Sequence, residues 1–326
     1  MEGDGGDPGG GDRDRGPDRA PGALDAAVAS LRAGDLVILP TETVYGLAAD
    51  ASNALAVARL YEAKGRPSFN PLIAHVADAD AARRIAVLDQ RAEALIATFW
   101  PGPVTLVAPI RDTGAVCDLA RAGLDTVAVR APAHPLARAV LTAFGGPVAA
   151  PSANRSGRPS PTTFVDAVAE TGFAASTALD GGPCEVGLES TVISLLDGPA
   201  RLLRPGAVTR DEIEALIGPL AEADADARRS PGRLARHYAP AAPVRLDATA
   251  PRPGEAFLAF GPAAPGDLMF NLSPAGDLRQ AAANLFAMLR AADARAPLAI
   301  AVAPIPEAGL GEAINDRLRR AAGHIG

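Results

Sequence analysis

Leu36-Val37-Ile38-Leu39-Pro40-Thr41-Glu42-Thr43-Val44-Tyr45-Gly46-Leu47 is the stretch on which the fold reading turns. Its first four residues form a short apolar run closed by Pro40, the pattern of a strand covered on both faces. Hydroxyls and a carboxylate follow at once, in Thr41-Glu42-Thr43. Ligands of open α/β sheets sit beyond the carboxyl ends of strands, so residues 41–47 are a candidate site wall. Upstream, Leu24, Ala27, Val28 and Leu31 recur at helical spacing from Ala23, and Gly34 stops the pattern, which predicts a helix feeding that strand.

The alternation continues downstream. Ser52 stands where it would cap a helix that passes through Leu60 and Tyr61, carries Lys64 and stops at Gly65. A strand near 72–76 holds His75 at its end, two helical patterns fill 78–99, and Trp100-Pro101-Gly102-Pro103 makes a rigid corner before a strand at 104–110. The next strand, 126–130, ends in Arg130. Charges seldom close apolar strands for packing reasons, so Arg130 is an anion-binding candidate. A strand at 148–150 runs into Pro151-Ser152-Ala153-Asn154, and the loop from Ser152 to Thr162 joins hydroxyls, an amide, Arg155 and Arg158 to the start of a helix at 162–168. Donors at the positive end of a helix suit a phosphate. Beyond it, Glu189-Ser190-Thr191 opens a strand at 192–195, and another apolar run ends in Arg204.

At 326 residues the chain has room for one large or two ordinary domains that bury their cores without disulfides. Cys117 and Cys184 fall in unrelated contexts, with no Cys-x-x-Cys or Cys/His cluster, so a reducing compartment fits and a structural zinc site does not. No apolar run reaches eighteen residues and the amino terminus lacks the apolar core of a signal peptide, which predicts a soluble, cytoplasmic protein. A net charge of -7 argues against a protein whose main work is coating nucleic acid, and leaves room for a local basic pocket. Residues 1–22, rich in Gly, Asp and Arg, are expected to be disordered. A catalytic domain is expected over 23–218, an Ala/Asp/Arg/Pro-rich linker over 219–243 and a small α/β domain over 244–326. That last part shows strand patterns near 244–246, 257–260 and 298–302 and helical ones near 278–291 and 310–322.

Lys64 is the only lysine beside thirty arginines. A bias toward arginine explains the thirty, and it leaves one ammonium where a guanidinium does not serve. Lysine is a compact charge on a flexible stem that reaches one oxygen in a narrow site, whereas arginine is a broad planar fork. Arg66, Asn70 and His75 follow within a dozen residues. There is no Gly-x-x-x-x-Gly-Lys-Ser/Thr loop, no Gly-x-Ser-x-Gly elbow, no His-Glu-x-x-His and no dinucleotide fingerprint. Cations recur at strand ends instead: Lys64, Arg66, Arg130, Arg158 and Arg204. That pattern points to a polyanion such as a nucleoside triphosphate, with catalysis by charge neutralisation and positioning. The residues alone carry the reading to a nucleotide- or anion-using enzyme.

Five motifs in order carry it further: Pro40 to Leu47; Lys64-Gly65-Arg66-Pro67 with Asn70-Pro71-Leu72; Trp100 to Pro103; Ala150 to Asn154; and Glu189-Ser190-Thr191. The chain resembles the long form of the threonylcarbamoyl-AMP synthase family, and the likeness extends through Ala313-Ile314-Asn315-Asp316-Arg317 near its end. The resemblance implies an α/β fold: a YrdC-like twisted mixed sheet with flanking helices, then a small Rossmann-like α/β domain. It implies a nucleotidyltransferase that makes threonylcarbamoyl-AMP and pyrophosphate from L-threonine, bicarbonate and ATP for tRNA threonylcarbamoyladenosine. Magnesium would come with ATP, without a metal ligand from the protein or an organic cofactor. The downstream partner would be a tRNA threonylcarbamoyl-transfer machinery, with no membrane involved.

The same resemblance places Thr43, His75, Arg130, Ala150 and Ser190 around threonine. It places Arg66, Asn70, Thr126, Ser152, Arg158, Arg204 and His237 around ATP. Lys64 and Arg66, with Ser152 and Asn154, match the catalytic signature pairs, and Lys64 is expected between carbamate and α-phosphate. The linker, with Arg236, His237 and Tyr238, is expected to close over bound substrates. One departure is Ala235, where the family commonly has an aromatic residue. Two other classes stay open. An RNA-binding YrdC-like module is weakened by the acidic chain, which leaves direct RNA binding undecided. A carbamoyltransferase-type maturation enzyme is disfavoured by the lack of accessory zinc-finger cysteines.

Overall fold

The structure, a computed structural model, describes residues 22–222 and 237–323. The expectations for the tail up to residue 21 and for linker residues 223–236, Ala235 and Arg236 among them, lie outside the described residues.

Local chemistry sets the first elements. α1 (Ala23–Arg32) turns Ala27, Val28 and Leu31 inward, and β1 (Leu36–Leu39) is buried along its whole length. β2 (Gly46–Asp50) pairs back on it antiparallel, a strand that Gly-Leu-Ala-Ala-Asp scarcely advertises because small residues have weak strand preference. α2 (Ala54–Lys64) follows, and its cap is Asn53 rather than the expected Ser52. Asn53 has the extended backbone a cap needs and accepts from the Leu55 and Ala56 amides, while the Ser52 hydroxyl donates to Asp50 at 2.7 Å. Gly65, at φ 58°, ends the helix as expected.

The remaining strands of the larger sheet are β3 (Ile73–His75), β4 (Val104–Pro109), β5 (Thr126–Arg130), β6 (Val148–Ala149), β7 (Ala175–Ala178), β8 (Thr191–Ser194), β9 (Arg201–Arg204) and β10 (Ala221–Glu222). They lie in the order β10-β9-β8-β4-β5-β3-β6-β2-β1-β7. β10 falls inside the segment expected as linker, where it pairs parallel with β9. Helices α3 (Ala79–Ile85), α4 (Gln90–Phe99), α5 (Asp118–Arg121), α6 (Pro135–Phe144), α7 (Phe164–Thr171) and α8 (Arg210–Ile217) flank the strands. The mixed sheet with flanking helices that the family resemblance implied is thus present.

Pairing direction is what assembles the site. β3 and β5 run parallel with His75 opposite Arg130, so their carboxyl ends meet. β4 runs antiparallel to β5, β8 parallel to β4 with Val104 opposite Thr191, and β9 antiparallel to β8 with Val192 opposite Arg204. Ser190, before β8, and Arg204, ending β9, therefore come to the same end of the sheet as His75 and Arg130. On the other side an isolated bridge joins Gly46 to Ser152 and brings that loop in. Ile73, Val107, Ala128, Val192 and Leu203 form a small apolar cluster of their own across this sheet.

The smaller sheet contains β11 (Val244–Arg245), β12 (Glu255–Phe260), β13 (Met269–Ser273) and β14 (Ala299–Val302), in the order β11-β14-β12-β13 and parallel throughout. α9 (Leu278–Asp293) and α10 (Leu310–Ala321) complete it. Its core takes in Val44 and Leu188 from the larger part, next to Tyr238 and Phe286, so the two sheets share packing close to the site.

Candidate active site

Arg130 anchors one end of the site. Its Nε donates to the Gly102 carbonyl at 3.1 Å, Nη1 to Thr43 Oγ1 at 2.9 Å and Nη2 to Glu42 Oε1 at 2.5 Å. The Gly102 carbonyl is reached because residue 102 is glycine: a Cβ there would stand 2.1 Å from the Phe99 oxygen. Glu42 and Arg130 are a buried pair, at 7% and 3% exposure. Burial alone would raise the Glu42 carboxyl, but the Arg130 guanidinium outweighs it and holds the group below the usual range. Three of the five arginine donors are engaged among the described residues, which leaves N–H capacity for a ligand carboxylate.

His75 sits beside this pair with Nδ1 3.3 Å from the Ile73 carbonyl. Burial, reinforced by Arg130, pushes its imidazole down to about 3, so the ring is neutral at physiological pH. His237 is driven the same way, by burial and then by Arg66, Lys64 and Arg204. In the unfolded chain a histidine takes up its proton as pH falls below 6.5, whereas folded His75 does not until about 3. Stability is therefore complete above pH 6.5 and lost progressively as pH falls toward 3. Denaturation midpoints are expected to drop between neutral pH and pH 5, and His75→Gln should flatten that slope by up to about 1.4 kcal/mol per pH unit, read by urea titration at each pH. An unchanged slope in the variant would exclude His75 as a source.

The other end is cationic. Lys64 is buried, and its Nζ donates to the Ser152 and Asn154 carbonyls. Burial, helped by Arg66, draws this ammonium well below the ordinary lysine range. Arg66 reaches the Pro71 carbonyl at 3.2 Å, and although burial lowers it to about 10 it is charged at neutral pH. Arg204 donates to the Ser190 carbonyl from Nε at 3.2 Å and from Nη2 at 3.0 Å, and its Nη2 lies 3.2 Å from the Ser190 hydroxyl. That hydroxyl bonds Thr105 Oγ1 at 2.7 Å. Arg158 is held 2.8 Å from the Glu170 carboxylate. Asn154 Oδ1 and His237 Nδ1 are buried without a hydrogen-bond partner among the described residues.

One cavity collects most of the residues singled out in the sequence. Thr43, His75, Arg130, Ala150 and Ser190 line it, and so do Arg66, Ser152, Arg204 and His237. Lys64, Asn70, Asn154 and Arg158 are not in the lining. Lys64 bonds the main chain of the wall rather than facing the space, and Asn154 spans the same loop by donating to the Arg155 and Arg158 carbonyls. Thr126 is buried at the opposite end of β5 from Arg130, paired with Pro109.

Sequence reasoning assigned no role to Glu42, Glu189 or Arg317. Glu42 and Glu189 each stand within three residues of a strand that is buried along its whole length, and the signal that could have found them is a carboxylate in such a place, where only a buried cation makes it tolerable. Arg317 shares the inward stripe of α10 with Ala313, Ile314, Leu318 and Ala321, and an arginine there needs a buried acid. Glu189 is that acid, 3.0 Å away.

Comparison with known proteins identifies the family. A family model described as Sua5_yciO_yrdC, Telomere recombination, matches residues 29–206, and one described as Threonylcarbamoyl-AMP synthase, C-terminal domain, matches residues 208–323. The threonylcarbamoyl-AMP synthase of Bacillus subtilis is 39% identical over 319 residues, covering 91% of this chain and 92% of that protein. The synthase of Pyrococcus abyssi is 40% identical, over 91% of this chain and 93% of its own length. A crystal structure of Pyrococcus abyssi Sua5 complexed with L-threonine superposes with a TM-score of 0.85 at 37% identity, covering 92% of this chain and 94% of that one. Matched by both models in tandem and aligned over nine-tenths of its length, the chain belongs to the threonylcarbamoyl-AMP synthase family in its long form, a YrdC-type domain followed by a Sua5-type C-terminal domain.

Proposed function

We propose that this chain is an L-threonylcarbamoyladenylate synthase, joining L-threonine, bicarbonate and ATP into threonylcarbamoyl-AMP and pyrophosphate for the threonylcarbamoyladenosine modification of tRNA. The observation that carries the reading is one cavity lined by separate groups of cations, Arg130 with Thr43 and His75 at one end and Arg66 with Arg204 at the other, with Ser190 between them against Arg204. The first end suits a small amino acid. Arg130 would take the carboxylate, and the hydroxyls of Thr43 and Ser190, with neutral His75, offer polar partners to the rest of a threonine. The second end suits a polyphosphate, and the relative solved with L-threonine supports threonine as a substrate.

The chemistry needs little proton transfer from the protein. Bicarbonate takes up a proton and loses water to give carbon dioxide, threonine's neutral amine adds to it and gives back that proton, a carbamate oxygen attacks the α-phosphorus of ATP, and the P–O bond to pyrophosphate breaks. Both reactants are anions, so neutralisation and alignment are what the site supplies. Arg66 retains its charge for this, and a phosphate brought beside Lys64 would restore the ammonium form that burial disfavours. The two carboxylates nearest the cavity are occupied, Glu42 by Arg130 and Glu189 by Arg317, and among the described residues no group of three or more His, Cys, Asp or Glu could hold a metal ion. Magnesium is proposed to enter on the triphosphate and add to the neutralisation of its charge.

Asn70 and Arg158 keep their proposed places on the ATP side, Arg158 after release from Glu170, and Asn154 its proposed catalytic part, whereas Thr126 stands at the far end of β5 from Arg130, outside the cavity lining. His237 and Tyr238 are proposed as the fixed end of a linker that covers the bound substrates, over a catalytic domain at 23–218 and a C-terminal domain at 244–326. The cytoplasm and a tRNA-directed transferase as consumer of the product complete the proposal. Among the described residues no helix is long and apolar enough to cross a membrane. Pyrophosphate release by the purified chain is expected to require threonine, bicarbonate and ATP together, with threonylcarbamoyl-AMP seen by mass spectrometry. Release that persists without threonine would overturn the assignment.

A further inference from the structure

Two arginines of the C-terminal domain grip the rim of the cavity from outside. Arg317, on α10, is fully buried. Its Nε donates to Glu189 Oε2 at 3.0 Å and its Nη1 to the Pro205 carbonyl at 2.9 Å and to Asp316 at 2.7 Å. Its guanidinium carbon stands 5.4 Å from the ring centre of Tyr238, a cavity residue. Arg290, on α9, pairs with Glu170 at 3.0 Å and donates to the Pro159 carbonyl. The next residue, Ser160, donates to the second oxygen of Glu189 at 2.5 Å.

These contacts bracket the residues that line the site. Glu189 immediately precedes Ser190, and Pro205 immediately follows Arg204, so one guanidinium ties the ends of β8 and β9 where the Ser190–Arg204 contact lies. The two chains are pressed together there: a Cβ on Gly206 would lie 2.4 Å from the Thr191 nitrogen and 2.6 Å from the Glu189 oxygen. We propose that Arg317, assisted by Arg290, is a positioning residue through which the C-terminal domain fixes the Ser190–Arg204 wall of the substrate cavity. Neither arginine lines the cavity, and each acts through a carboxylate and a main-chain carbonyl of the larger domain. The C-terminal domain then contributes to substrate affinity without contacting substrate.

The test uses full-length Arg317→Lys and Arg317→Met. Lysine keeps a positive charge against Glu189 and Asp316, but a single ammonium cannot span Glu189 and the Pro205 carbonyl as the fork does. Two readouts are taken: amide exchange over residues 186–194 and 203–206 against α1, and KM and kcat for threonine in pyrophosphate release. Losing a charge-assisted contact predicts roughly tenfold faster exchange in those segments with α1 unchanged, and a KM for threonine raised about tenfold while kcat stays within about threefold. A residue serving only global stability would speed exchange throughout and lower kcat at constant KM. That pattern, or wild-type exchange and KM in a folded variant, overturns the proposal. The kinetic arm rests on the synthase reading above and the exchange arm does not, so an inactive wild type would sink that reading while exchange alone decides the clamp. If Arg317→Met fails to fold, the same two readouts on Arg317→Lys decide the matter.

Discussion

Arg130→Met is expected to lower threonine-dependent pyrophosphate release by about 10²–10³-fold and to destabilise the fold by about 3–5 kcal/mol, because one substitution removes a carboxylate partner and strands a buried acid. The two effects have different origins and separate cleanly. Glu42 is 7% exposed and draws its compensation from Arg130 at 2.5 Å, with a further bond from the Ala133 amide at 3.0 Å. Without the guanidinium, burial, the largest influence on the group, is opposed only by backbone hydrogen bonds and is expected to lift the Glu42 carboxyl above its ordinary 4.5. A folded-state value raised in this way leaves stability intact below 4.5 and erodes it as pH rises, so the deficit of Arg130→Met should be greatest at neutral pH and shrink in acid. Adding Glu42→Gln removes the stranded charge. The double variant is expected to regain most of the lost stability, measured by guanidinium denaturation, and none of the lost activity. Recovery of both would mean that Arg130 serves the fold alone; recovery of neither would mean that Glu42 is not the source of the instability.

The same residues show what could be read from the chain and what could not. Arg130 at the end of an apolar strand was legible because a charge in that place lacks a packing explanation, and the structure places it opposite His75 at the meeting of two parallel strand ends. Glu42 was not legible as its partner, since 88 residues separate them and only the strand order brings them together. β1 declared itself through four consecutive large apolar residues, all buried, whereas β2 and β7 are built of small residues whose place comes from neighbours rather than from intrinsic preference. The cap of α2 lies one position beyond the expected one: Ser52 and Asn53 both qualify by type, and backbone geometry alone chose between them. Arg317 lay within a recognised segment, yet its reach into the other domain depends on packing that Val44 and Leu188 share with the C-terminal core. Periodicity reports on local elements, and the partners of buried charges belong to topology.

Lys64 puts that distinction to the hardest test. Its isolation among arginines suggested a compact cation in a narrow site, and the family resemblance set it between two anionic reactants, but the structure bonds its nitrogen to two carbonyls of the Ser152–Asn154 loop. An amine satisfies two adjacent carbonyls at the end of a slender stem; a guanidinium is too broad to converge on both, and methionine leaves both buried oxygens unpaired at about 1–3 kcal/mol each. Lys64→Arg and Lys64→Met are therefore both expected to lose at least about 10²-fold in pyrophosphate release, with amide exchange over residues 150–158 faster in each. If the charge itself neutralised the reactants and the wall did not depend on it, arginine would retain far more activity than methionine and exchange would stay at the wild-type rate. A wall held in place by Lys64 predicts the reverse: the two variants fall together, and the Ser152–Asn154 loop loosens in both. Normal release by Lys64→Arg would defeat the two-carbonyl pin, since a fork cannot converge on both oxygens as a point charge does.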